Sequence, residues 1–351
     1  MSGTGGMIGR SGTGGAFFRA GARRVGDLGA ACERVEARLA GMEALFRDRF
    51  AAEGGTDMDA CVYGALMGGG KRLRPMLLCL AAGFGEPGTR GVTGLMAVVE
   101  MIHTASLVHD DIVDGSALRR GRPTINALKG GRFAVQSAYY MIAEALDMLR
   151  ESGLPGVHGI LAGIPMDMCL GELRQLSVEY SVELQTEEDY LGRIERKTAR
   201  LIEGSCLAGA RAAGAGAAQE EALGAYGLAL GMLFQLRDDL LDYEGAAEDG
   251  KPALQDIRRG IYTLPLLHAA REAFDPRLAA LLGKRGKTEG ELSEICAWAR
   301  ASGGVSRTKR LMGEYAGRAA AALALLPETG ERAMLEEIAL LLMGTSRLEE
   351  G

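Results

Sequence analysis

The residues best placed to do chemistry are six aspartates in two clusters of one pattern. HDDIVDGSALRRGRPT holds Asp110, Asp111 and Asp114; FQLRDDLLDYEG holds Asp238, Asp239 and Asp242. On a helix, residues three and four apart share a face, so each DDxxD set crowds its carboxylates along one edge. Like charges at these spacings destabilise an isolated helix. Asp114 also stands beside Gly115, at an expected helix C-terminus where the macrodipole disfavours anions. Something cationic is expected to compensate. Magnesium is a hard divalent ion held by one or two carboxylates, with substrate phosphate oxygens and water completing its shell, and it meets that need. A single DDxxD is commonly a solvated acidic face. Two copies 128 residues apart, each on an otherwise apolar helix, point to a metal site. An EF-hand calcium site is excluded for lack of its loop spacing and glycine.

Positive charge gathers near the first cluster. GGGKRLRP places Lys71, Arg72 and Arg74 after Gly68, Gly69 and Gly70, and LRRGRPT supplies Arg119, Arg120 and Arg122. Guanidinium groups suit bidentate phosphate binding, lysine gives a compact charge, and glycines let backbone N–H groups approach an anion. GxxxxGK[ST] is absent at this site, so it is not a P-loop. His103 lies seven residues before Asp110, on the same helical face, and is expected to contact a diphosphate. His109 is read as structural.

Bulk properties narrow the class. The 351 residues are nearly half hydrophobic and a quarter charged, an ordinary globular balance, and the net charge of −6 argues against nucleic-acid binding. Six scattered cysteines form no CxxC or Cys/His group and read as reduced thiols in a cytoplasmic protein. No uninterrupted apolar run reaches ~18 residues, so no membrane span is expected, and membrane contact is at most peripheral. Residues 1–25, with two GTGG repeats, read as a flexible Gly-rich tail without a signal core.

The elements that must position these residues are helices. Ala, Leu, Met, Glu and Arg recur at helical spacing, and alternating β-branched runs are missing. Helices are predicted from Asp27 toward Phe50, from Pro75 to Gly83, and from Leu95 to Asp114, stopped by Gly115. Others are predicted over 131–150, 157–176, 187–209, 218–243, 261–273, 289–301, 305–325 and 329–343. The Ala/Gly-dense stretch from Ser205 to Ala218 suits either close helix packing or a loosened junction. No composition break divides residues 26–351, which favours one all-α bundle over two smaller helical domains.

Over roughly residues 60–270 the chain resembles the trans-prenyl diphosphate synthases, most closely long-chain members such as heptaprenyl and octaprenyl diphosphate synthases. The resemblance is carried by GGGKRLRP, VVEMIHTASLVHDDIVDGSALRRGRPT, MCLGELRQL, IERKTARLIEGSC, FQLRDDLLDY and GKPALQDIRRGIYTLPLL, in family order. It implies an all-α isoprenoid synthase fold, a single large bundle around a central cavity with the aspartate motifs facing across it. It also implies a homodimer, or a heterodimer with a small subunit. The implied reaction condenses isopentenyl diphosphate with geranyl, farnesyl or geranylgeranyl diphosphate, using Mg2+, three ions per site with substrate bound. By resemblance, Asp110, Asp111, Asp114 and Asp238 hold magnesium, with Asp239 and Asp242 in support. Arg119, Lys197 and Lys251 contact the allylic diphosphate; Lys71, Arg74, His103 and Arg120 bind that of isopentenyl diphosphate. Thr198 and Gln235 sit near the developing carbocation. A terpene cyclase is disfavoured by the second DDxxD and by the isopentenyl-binding set, and a non-catalytic partner subunit by retention of both aspartate clusters.

Two positions depart from the family pattern. Ala138–Tyr139 stands where a glycine–aspartate pair is common, and Ile261 where many members carry lysine. Ala105 and Ser106 lie one turn before Asp110, about 6–8 Å down the axis, where short-chain members place an aromatic floor. Small residues there predict a product of about C30–C40. A shorter C15–C20 product would follow if Tyr139, Tyr140 or Met141 closed the cavity.

Overall fold

The helical periodicity is realised almost throughout. The structure, a computed structural model, describes residues 26–51, 54–86, 91–244, 254–272 and 275–344; the tail over 1–25 and Lys251 lie outside them. In chain order the first helices are α1 (Gly26–Phe50), α2 (Asp57–Leu66), α3 (Leu73–Ala82), α4 (Val92–Val113), α5 (Ile125–Lys129) and α6 (Gly131–Glu151). They are followed by α7 (Pro155–Leu161), α8 (Ile164–Ser177), α9 (Glu187–Ile194), α10 (Arg200–Ala212) and α11 (Ala217–Glu244). The last six are α12 (Gln255–Arg258), α13 (Leu264–Glu272), α14 (Pro276–Gly283), α15 (Glu289–Ala301), α16 (Gly304–Leu323) and α17 (Gly330–Met343).

Several predicted helices divide. The span 157–176 is α7 and α8, parted at Ala162–Gly163, and the segment predicted over 261–273 becomes helical only at Leu264. Between α9 and α10 the backbone loosens into a π turn, Glu195–Ala199. After α4, Leu118–Arg119 (β1) and Arg122–Pro123 (β2) form a small antiparallel hairpin that turns through Arg120 and Gly121, both at positive φ.

α4 is the central helix, packed by α6, α3 and α1, while α11 lies between α10 and α16. By length and composition α4 could cross a bilayer, yet most of its apolar side chains are buried inside the bundle. One contiguous apolar core runs from Ala31 on α1 to Leu342 on α17. Truncating a buried leucine in such a core costs about 2–5 kcal/mol.

The Ala/Gly-rich stretch holds both alternatives in succession. As far as Ala212 it is close-packed helix: a Cβ on Gly209 would overlap the Leu78 carbonyl, so α10 and α3 touch backbone to backbone. Beyond Ala212 a turn through Gly214, at positive φ, opens the junction to α11.

Candidate active site

The first aspartates stand at the C-terminal end of α4. Asp111 is buried and accepts a hydrogen bond from Arg119 Nε of the hairpin at 2.8 Å. Asp114 caps α4 and pairs with Arg259, 145 residues away, just past α12. Asp110 Oδ1 lies 3.8 Å from Lys197 Nζ. Burial pushes the Asp110 carboxyl above its ordinary range; Lys197 opposes that, while Glu172 and Asp114 add to it. Cations thus gather on each of the three carboxylates, as their crowded spacing requires.

Lys197 and Thr198 come from the π turn, whose extra residue per turn resets the direction of its side chains. Two glycines clamp that turn. A Cβ on Gly171 of α8 would come 3.1 Å from the Lys197 backbone nitrogen, and one on Gly231 of α11 would come 2.5 Å from Ala199 Cα. Thr198 Oγ1 donates to Gln235 Oε1 at 2.7 Å, and Gln235 Nε2 donates to Asp239 Oδ1 at 2.7 Å. Asp239 also accepts from the buried Tyr190 hydroxyl at 2.6 Å. Burial, reinforced by Asp256 against these hydrogen bonds, pushes the Asp239 carboxyl up to about 7. Asp238 is exposed and Asp242 half-buried on the same helix. Adjacent residues of one turn therefore reach one aspartate cluster each.

The basic residues separate into two kinds. Arg72 adopts a left-handed backbone, φ 51°, which turns it inward to a buried pair with Glu100 of α4 at 2.5 Å. A second bond, to the Leu66 carbonyl at 2.5 Å, anchors the loop. Lys71 is exposed, and Arg120 donates to the Gly69 carbonyl. Arg74 lies 3.1 Å from His103 Nε2. Arginine can only donate, so Nε2 accepts and the imidazole is neutral with its proton on Nδ1. Burial and the guanidiniums of Arg74, Arg120 and Arg119 hold the His103 pKa well below its usual value, in agreement.

Elsewhere, His109 rests edge-on against Tyr139 with ring centroids 6.0 Å apart. Tyr139 is exposed, Tyr140 donates to Asp59 at 2.8 Å, and Met141 is fully buried. Ala138 and Ile261 are core residues. Two residues before Ile261, Arg259 supplies a cation at Asp114. Glu172, Arg259 and Tyr190 were not singled out from sequence. Glu172 lies within MCLGELRQL beside the clamp glycine, the one local signal for it.

The donor chemistry fits magnesium. Both clusters offer carboxylate oxygen alone, and among the described residues no three acidic, histidine or cysteine side chains converge to enclose an ion unaided. Magnesium completes its shell with phosphate oxygens and water rather than a protein cage, which is the fit this arrangement offers.

Comparison with known proteins agrees. The family model for polyprenyl synthetase matches residues 58–298. Heptaprenyl diphosphate synthase component 2 of Geobacillus stearothermophilus is 39% identical over 278 residues, covering 78% of this chain and 86% of that protein. Octaprenyl diphosphate synthase of Escherichia coli is 37% identical, covering 78% of this chain and 85% of its own. Among solved structures, a decaprenyl diphosphate synthase from Rhodobacter capsulatus superposes with a TM-score of 0.84 at 34% identity, covering 91% of this chain and 99% of that one. A polyprenyl synthase from Caulobacter crescentus, complexed with calcium and isoprenyl diphosphate, gives 0.82 at 37% identity, covering 93% and 99%. The all-helical fold, the paired aspartate clusters and these similarities together establish that the chain belongs to the polyprenyl synthetase family and is a prenyltransferase.

Proposed function

We propose that the chain condenses isopentenyl diphosphate with an allylic diphosphate to give an all-trans polyprenyl diphosphate of about C30–C40, the floor position one helical turn below Asp110 being small. The observation that supports the site is the π turn, whose Lys197 approaches Asp110 and whose Thr198 is linked through Gln235 to Asp239. Asp110, Asp111, Asp114 and Asp238 would hold magnesium, three ions with substrate bound, and Asp239 and Asp242 would support them. Bound magnesium would neutralise the charge that develops on the leaving diphosphate.

The chain's own residues do the rest. Arg119 and Lys197 hold the allylic diphosphate by charge-assisted hydrogen bonds as its C–O bond ionises. Lys71, Arg74, His103 and Arg120 bind the second diphosphate, with neutral His103 free to donate through Nδ1. Thr198 and Gln235 present polar oxygens to the allylic cation, and the apolar core excludes the water that would quench it. Attack by the isopentenyl double bond forms the new C–C bond. The released diphosphate takes the proton then lost, so no protein base is required.

A second assembly reading rests on one observation. The Geobacillus relative is named as a component, so a partner subunit is an alternative to the homodimer that the family resemblance implies. The test is incubation of the purified protein with Mg2+, isopentenyl diphosphate and either geranyl or farnesyl diphosphate, with products resolved by chain length. Products stopping at C15 or C20 would sink the long-chain reading. Asp110→Ala or Asp238→Ala should lower turnover by about 10²-fold or more. Near-normal turnover in either would overturn the site. Activity that appears only with a second protein would identify the chain as the catalytic half of a heteromer.

A further inference from the structure

The Lys197 ammonium has two carboxylate neighbours at unequal distances: Glu172 Oε2 at 2.6 Å and Asp110 Oδ1 at 3.8 Å. Glu172 plays no part in the scheme above, yet its placement is built. It follows Gly171, the α8 residue whose missing Cβ lets that helix lie against the Lys197 backbone. Its other oxygen, Oε1, accepts from Gln175 Nε2 at 3.4 Å, within the same helix.

We propose that Glu172 is a positioning residue that holds the Lys197 ammonium off Asp110, leaving that carboxylate available to a divalent cation arriving on a diphosphate. The inference rests on Asp110 as a magnesium ligand and Lys197 as a diphosphate contact. Lysine carries a compact charge on a flexible stem, so it settles on the nearest carboxylate. Once Glu172 is neutral, that carboxylate is Asp110, and rotation of the Lys197 side chain closes the gap. The cation site is then blocked by a residue meant to serve it.

A general field effect of Glu172 would act on the arriving cation and anion whether or not Lys197 is present. The Lys197→Met background therefore separates positioning from a general field effect.

The experiment is calorimetric titration of the full chain with inorganic pyrophosphate over a series of magnesium concentrations, for the unaltered protein, Glu172→Gln, Lys197→Met and the double variant. Glu172→Gln should weaken binding at limiting magnesium by about tenfold, in the range found for residues that orient metal ligands, and shift half-saturation to higher magnesium. In the Lys197→Met background the same substitution should cause no weakening. Binding that is unchanged or tighter in Glu172→Gln would overturn the proposal, as would equal weakening in both backgrounds. If Glu172→Gln fails to fold, Glu172→Asp keeps the charge and shortens the reach, and should fall between the two. Absence of magnesium-dependent pyrophosphate binding by the unaltered protein would overturn the site reading itself, and this proposal with it.

Discussion

Ala105 and Ser106 are neighbours on α4 but differ in the room around them. Ala105 is 1% exposed and packed in the core, whereas Ser106 is half-buried and donates its hydroxyl to the His103 carbonyl at 2.8 Å. A phenylalanine at 105 would overpack the helix interface at a cost of about 1–3 kcal/mol, confusing chain length with stability. Ser106→Phe is the cleaner probe. It should shift the products toward shorter chains by one or more isoprene units while leaving the unfolding midpoint nearly unchanged; an unaltered product ladder would place the floor elsewhere. At this scale the aspartates were legible because their excess charge is local in sequence. Arg259 was not, since its partner Asp114 is 145 residues away. The basic run GGGKRLRP does not by itself set Arg72 apart from Lys71 and Arg74, because the left-handed backbone that turns Arg72 toward Glu100 is a feature of the folded loop.

Helix ends follow the same division. Thr56, Thr124, Thr186, Thr288 and Thr329 each accept a backbone N–H at a helix start, a signal written within four residues. The π turn carries no such signal, and its close neighbours are tertiary: α8 and α11 approach its backbone at Gly171 and Gly231. The α15 start gives a pH test. Glu291 closes a capping box with Thr288, and the Lys284 ammonium followed by the Thr288 N–H lowers its carboxyl from 4.5 to about 2. A carboxylate whose folded pKa is depressed stabilises above its unfolded value and loses that stabilisation as pH falls through the folded one. Urea unfolding should therefore show the unaltered protein ahead of Glu291→Gln at pH 7, with the gap closing between about pH 4.5 and pH 2. A gap that stays constant across that window would mean the carboxylate charge contributes nothing.

At the scale of the molecule, the surface of α8 opposite the clamp is unusually apolar. Met166, Leu170, Leu173 and Leu176 are exposed along one stripe of the helix, joined by Cys169. If the homodimer that the family resemblance implies forms across this stripe, Leu173→Glu places a charge in its middle. Light scattering should then show a dimer for the unaltered protein and a monomer for the variant; a dimer that survives the substitution would move the interface elsewhere. Helical architecture was legible because composition and periodicity run through the whole chain, while the division into seventeen described helices depended on contacts between distant segments. Those contacts differ in kind, and the difference should be visible in a library of sequences selected for activity. Where a Cβ on Gly224 would come 2.7 Å from the Leu207 side chain, a larger residue can be matched by a smaller one, so the two positions should covary. Gly209 meets the Leu78 carbonyl, which every amino acid at position 78 carries. No second-site change can make room there, so Gly209 should remain fixed and covary with nothing.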